Sequence, residues 1–92
     1  MPLFAIVAHD RPDAGTLRAD TRPRHLPHLE AILPRIVTAG PMLDESDVPT
    51  GSIIIADFAD LTAAEVFAAA DPYARAGLFA RVAVTGYRQV FP

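Results

Sequence analysis

Residues 3–8 read Leu-Phe-Ala-Ile-Val-Ala, six apolar side chains in a row in a chain of only 92 residues. Side chains alternate between the two faces of a strand, so a strand written this way needs cover on both. Residues 52–58, Ser-Ile-Ile-Ile-Ala-Asp-Phe, repeat the message with β-branched residues that suit a sheet buried on both sides. A chain this short buries only about 60 to 65% of its unfolded surface. It has room for one domain, residues 1–92, and not for a second core or a solenoid repeat.

Between these two strands, Leu26, Leu29, Leu33 and Ile36 recur at spacings of three and four. That is the stripe of a helix laid on a core, and it predicts a helix over residues 20–37. Pro23 suits a first turn, where its missing N–H has no partner to lose. Pro27 and Pro34 each delete an internal hydrogen bond, so the helix is expected to be kinked or interrupted. Residues 38–43 read as a short strand with a breaker at Gly40-Pro41, and the acidic stretch 44–51 as a turn. Thr62 and Glu65 have the spacing of a capping box that starts a second helix running to about Ala70. Asp71-Pro72 stops it, with Asp71 placed to cap one more turn through Ala76. Residues 79–91 carry Val82, Val84, Tyr87 and Val90 and read as a last strand broken by Gly86.

The order β-α-β-β-α-β is the ferredoxin-like α+β arrangement, a four-stranded antiparallel sheet with two helices on one face. Both helices then cover the same side. The first and third strands are apolar on both, so the other side needs a second covering layer. A second copy of the chain, packed sheet on sheet as a homodimer, is the economical answer.

Charge and composition remove several classes of function. A formal charge of −3, from eight arginines and no lysine against eleven acids, lacks the clustered positive field that a nucleic-acid partner requires. With no cysteine there is no disulfide framework and no thiolate site, which fits a cytoplasmic protein. No apolar run approaches the ~20 residues of a membrane span, so no membrane partner is expected. A Gly-rich phosphate loop, a G-x-S-x-G elbow and H-E-x-x-H are absent, and no nucleotide or other cofactor is expected.

The residues with chemistry to offer are few. His25 shares a helical face with Leu29, Ile32 and Ile36 and should look toward the sheet from the first turns. Asp71 ends the second helix on the same side and can reach an imidazole there, and a carboxylate that orients a histidine sets up general acid/base work near neutral pH. Each has a plainer reading: His25 as a hydrogen-bonded residue at the core's edge, Asp71 as a cap. Arg22 could recognise an anionic group or simply be solvated. His25 and His28 have i, i+3 spacing compatible with two metal ligands, but Pro27 disturbs the geometry, no third ligand presents itself, and no metal is expected. His9 and Asp10 close the first strand.

Asp10, Arg22-Pro-Arg-His25-Leu26, Thr38-Ala-Gly40-Pro41, Gly51-Ser52 and Asp71-Pro72-Tyr73, taken in order over nearly the whole chain, resemble the YciI-like (YCII-related domain) family. The resemblance implies a dimeric ferredoxin-like α/β barrel with an active-site histidine and aspartate, which fall on His25 and Asp71. Asp10, Arg22 and Ser52 match further motif positions and are expected near the same pocket. Some similar proteins eliminate chloride from chlorinated hydroxyquinols, and the wider group includes lactone isomerases and cofactor-free oxygenases. His28 lies outside the family pattern. Pro27, Pro34 and a short loop between the second and third strands depart from it and bear on pocket shape.

Together these readings point to a small cofactor-independent enzyme of lyase or isomerase type. His25, held by Asp71, would move a proton on a small aromatic or enol-type molecule, with Arg22 or Ser52 on a substrate oxygen and Tyr73 and Phe4 as apolar walls. The alternative is a dimeric module that binds a small molecule or regulates without transforming it, since this fold serves both.

Overall fold

A computed structural model describes residues 2–92. The elements are β1 (Leu3–Asp10), α1 (Leu17–Glu30), a 3₁₀ turn (Leu33–Arg35), β2 (Ile36–Leu43), β3 (Pro49–Asp57), α2 (Leu61–Ala70), α3 (Pro72–Arg75) and β4 (Phe79–Tyr87). All pairings are antiparallel in the order β2-β3-β1-β4. This is the ferredoxin-like α+β fold, with the two strands that are apolar on both faces at its centre. None of the described helices is long and apolar enough to cross a membrane.

Register divides the sheet into two faces. Ile6 pairs with both Ile54 and Val84, and Phe4 with Ala56, which puts these side chains on one side. Phe4, Ile6, Ile54 and Ala56 form the core there with Phe58, Ile32, Ala64 and Ala68, and Leu29, Phe67 and Val84 pack at its edge. Truncating a side chain such as Ile54, 3% exposed, to Ala costs about 2–5 kcal/mol. The opposite face presents Leu3, Ala5 and Val7 beside Ile53, Ile55 and Tyr87, with Ile53 36% exposed.

The first helix departs from expectation. It begins at Leu17, three residues early, passes through Pro23 and Pro27, and ends at Glu30. Both prolines are exposed and four apart. They therefore share the solvent side, where the carbonyls they leave unbonded can meet water. Pro34 lies in the first turn of the 3₁₀ segment, and Ile36 belongs to β2. The buried residues of α1 are Thr21 and His25, while Leu26 and Leu33 are exposed. The core-facing stripe is thus Thr21, His25, Leu29 and Ile32, one step round from the leucine series.

Three smaller corrections concern breakers and caps. Gly40-Pro41 does not break β2, because β2 is an edge strand and a proline there need not donate inward. Gly86 stays in the ladder opposite Phe4, and β4 stops at Tyr87, where its partner β1 begins at Leu3. The α2 cap is Asp60, whose Oδ1 accepts the Ala63 amide at 2.8 Å, instead of the Thr62 and Glu65 box. That carboxylate satisfies one of the open donors of the first turn.

Candidate functional site

Strand alternation carries Asp10 to the helix-covered face, in line with Phe4, Ile6 and Ala8. Ser52 pairs with Ala8 and shares that face. Gly51 makes this approach possible, since a Cβ there would run into the Ala8 carbonyl and the Met42 side chain. Above them, Arg18, Arg22, His25 and Leu29 follow one another along α1 at spacings of three and four, a single helical stripe.

His25 Nδ1 lies 2.9 Å from Asp71 Oδ1. The same oxygen accepts the backbone amide of Tyr73 at 2.9 Å, which makes Asp71 the N-cap of α3. Capping and histidine orientation are therefore one interaction. His25 and Asp71 are 7% and 4% exposed. An oxygen acceptor at Nδ1 places the ring proton there and leaves Nε2 with its lone pair available.

The segment around Tyr73 is fixed at both ends. Pro72 suits the first helical position after the Asp71 cap. Beyond α3, Gly77 adopts φ +78°, the Gly77 amide donates to Ala74 O, and the Leu78 amide donates to Tyr73 O. That is a Schellman ending, with Leu78 fully buried. The Tyr73 ring stacks on His25, centroids 4.0 Å apart and planes inclined by 20°.

Arg18 ties the strands to this segment. Its Nε and Nη2 grip both oxygens of Asp10 at 2.7 and 2.8 Å, Nη2 donates to Ser52 Oγ at 3.0 Å, and its guanidinium sits 4.6 Å from the Tyr73 ring centroid. Burial opposes the guanidinium charge, but the hydrogen bonds and charge of Asp10 outweigh it and raise the Arg18 pKa above its ordinary value. Burial also raises the Tyr73 phenol, only partly offset by the charges of Arg18 and Arg22. Tyr73 thus stays a neutral phenol through the physiological range.

These residues surround a cavity of about 180 Å³ lined by Arg18, Arg22, His25, Ser52 and Tyr73, with Leu26, Leu29 and Ile54 as its apolar wall and Ala39, Gly40 and Pro41 of β2 closing it. A cavity near ~150 Å³ holds a benzene, so this one suits a single substituted ring. A larger, more open depression of about 610 Å³ lies between Pro2–Phe4 and Gly86–Gln89, away from the histidine and its partner.

The expected site residues fall as follows. His25, Asp71, Arg22, Ser52 and Tyr73 come together, and Asp10 joins through Arg18 instead of lining the cavity. Phe4 is not a wall; it sits at the far end of β1 against Phe58, ring centroids 6.4 Å apart, and Leu26, Leu29 and Ile54 take that place. Tyr73 contributes a stacked ring as well as a surface. Arg18 was not anticipated, although its position four residues before Arg22 and seven before His25 places it on their stripe. His28 turns away: its Nε2 lies 3.0 Å from Phe67 O and its ring stacks on Phe67. His9 lies on the opposite sheet face, beside Arg81. Among the described residues, no three His, Cys, Asp or Glu side chains converge as a metal site.

Fold and site define a small ferredoxin-like α+β protein in which a buried histidine, held from behind by an aspartate, borders a one-ring cavity. Residues 2–88 match the YCII-related domain, and the chain belongs to that family. It is 40% identical to Protein YciI of Escherichia coli O6:H1, over 97% of this chain and 99% of that one. An uncharacterized protein of Haemophilus influenzae is 38% identical over 96% and 98% of the two chains. Among solved structures, the 5-chloro-2-hydroxyhydroquinone dehydrochlorinase of Burkholderia phenoliruptrix, in complex with 2,5-dihydroxybenzoquinone, superposes with a TM-score of 0.85 at 34% identity, over 94% of this chain and 93% of that one. An antibiotic biosynthesis monooxygenase shares the fold, with a TM-score of 0.57 at 16% identity over 98% and 99%.

Proposed function

We propose that this protein is a cofactor-independent enzyme of lyase or isomerase type in which His25 moves a proton on a small aromatic or enol-type metabolite. The observation that carries the reading is the buried contact of His25 Nδ1 with Asp71 beside a cavity sized for one ring. Asp71 fixes the tautomer and stabilises the imidazolium once it forms. Nε2 removes a proton from a substrate carbon or hydroxyl, and the electron pair left behind moves into the conjugated system. In a lyase it expels a leaving group from the neighbouring carbon; in an isomerase the imidazolium returns its proton at another atom. Arg22 and Ser52 contact a substrate oxygen, Tyr73 forms the wall under the imidazole, and Asp10 acts through Arg18. The dehydrochlorinase relative supports elimination as the reaction to test first.

The test is chloride release from 5-chloro-2-hydroxyhydroquinone by the wild type and by His25→Ala. General acid/base catalysis contributes about 10²- to 10⁴-fold, and a loss of that order is expected. Turnover that survives His25→Ala unchanged removes His25 from the chemistry.

The same reading makes the protein a homodimer in a cytoplasmic setting, with a second copy laid on the sheet face that carries Leu3, Ala5, Val7, Ile53 and Ile55. Apolar residues along two central strands need cover that the chain's own helices, on the other side, do not provide. Sedimentation should give twice the chain mass, and Val7→Arg should give monomers. A stable wild-type monomer at micromolar concentration overturns the dimer.

A further inference from the structure

The cavity is lined by charges of one sign. Arg18 and Arg22 face it, and no carboxylate does. Asp71 lies behind the imidazole, bound to His25 Nδ1 and the Tyr73 amide, and Asp10 is held by Arg18. The two guanidiniums are not equivalent. Arg18 is gripped by both oxygens of Asp10, so its charge is already matched. Arg22, one helical turn further along, is exposed at the cavity. Among the described residues it has no salt-bridge partner.

We propose that the cavity takes its ligand as a single-ring anion, with the negative group on Arg22 and the ring against Leu26, Leu29 and Ile54, under the reach of His25 Nε2. The inference deepens the acid–base reading and rests on it for the ligand's fate; binding of the anion needs only the lining. A guanidinium at the rim of an apolar cavity is suited to a planar carboxylate or enolate, which it can meet with two parallel N–H donors. The positive field reaches the cavity wall, since both arginines act on the Tyr73 phenol. It is also a local exception in a chain of formal charge −3. The selectivity is therefore built at short range, by Arg22 and the walls.

Benzoate and benzamide test this as two rings of nearly equal shape that differ in charge. Binding followed by NMR at low ionic strength should favour benzoate by about tenfold or more, the equivalent of one modest charge contact. The preference should shrink with added salt, survive in Arg22→Lys and vanish in Arg22→Gln, each variant checked for an unchanged fold by its methyl spectrum. His25→Gln should keep the preference, so a failure of His25 as the proton carrier leaves this result standing. Equal binding of the two compounds, no binding of benzoate at millimolar concentration, or a preference that persists in Arg22→Gln overturns the proposal.

Discussion

The His25 imidazole lies nearly flat on the Tyr73 ring, 4.0 Å away, and both residues hang on one oxygen of Asp71 through a ring nitrogen and a backbone amide. Orientation of the histidine and placement of its aromatic neighbour are thus set by a single acceptor. A displacement of either ring is felt by the other.

Replacing Asp71 should therefore do two kinds of damage at once. Loss of an N-cap costs about 0.5–2 kcal/mol, and a buried donor left without a partner about 1–3 kcal/mol more. Asp71→Ala is expected to lose about 2–4 kcal/mol in urea unfolding, with Asp71→Asn, which keeps an acceptor oxygen, losing about half as much. Equal losses in the two variants would mean that the shared oxygen is not what holds the segment.

Tyr73 makes a prediction at alkaline pH. Burial raises its folded-state pKa above the unfolded value, which for tyrosine is about 10. The sign follows from linkage: the contribution is complete below the unfolded pKa and is lost as pH climbs through the folded one, because the unfolded chain releases its proton first. Unfolding free energy should fall above about pH 10 in the wild type and fall less in Tyr73→Phe. A wild type and variant with parallel alkaline profiles would contradict the burial of the phenol.

Arg18 and Asp10 should behave as a coupled pair. Their side chains are 14% and 10% exposed, so Arg18→Met strands a half-buried carboxylate, whereas Arg18→Met with Asp10→Asn removes both charges. A double-mutant cycle is expected to give a coupling of about 1–3 kcal/mol, in the range for hydrogen bonds to charged groups. Additive effects would reduce the pair to a solvated contact.

Gly51 is a steric prediction with no chemistry in it. Gly51→Ala drives a methyl group into the Ala8 carbonyl and Met42, and overpacking of this kind costs about 1–3 kcal/mol. The loss should appear as a lower denaturant midpoint with an unchanged slope. A neutral outcome would mean that β1 and β3 can part without penalty at that point.

Much of this architecture could be read from residue order. Consecutive apolar residues located β1 and β3 at the centre of the sheet, and Asp71-Pro72-Tyr73 announced a cap and turn at a helix end. The first helix was harder, because Leu26 and Leu29 line a cavity and Leu33 faces solvent; an apolar stripe does not say whether it meets a core or a ligand site. Pro27 misled because the cost of a proline depends on which side of the helix it occupies, and Pro23, which reads as a first-turn residue, lies in the interior of a helix that starts at Leu17. Arg18 stayed hidden for a different reason. Its partners Asp10, Ser52 and Tyr73 are distant in sequence and adjacent only after folding, and spacing along one helix carries no information about them.

The sheet order has a consequence in time as well as in space. Of the four strands, β1 is made first and has β4, made last, as one of its two neighbours, whereas the cavity is lined from α1, β2, β3 and α3, residues Arg18 to Tyr73. During translation β1 waits with one edge unpaired until β4 has left the ribosome. Every residue that lines the cavity precedes β4 in the chain, so the walls of the site are made before the sheet that carries them is closed on its last edge.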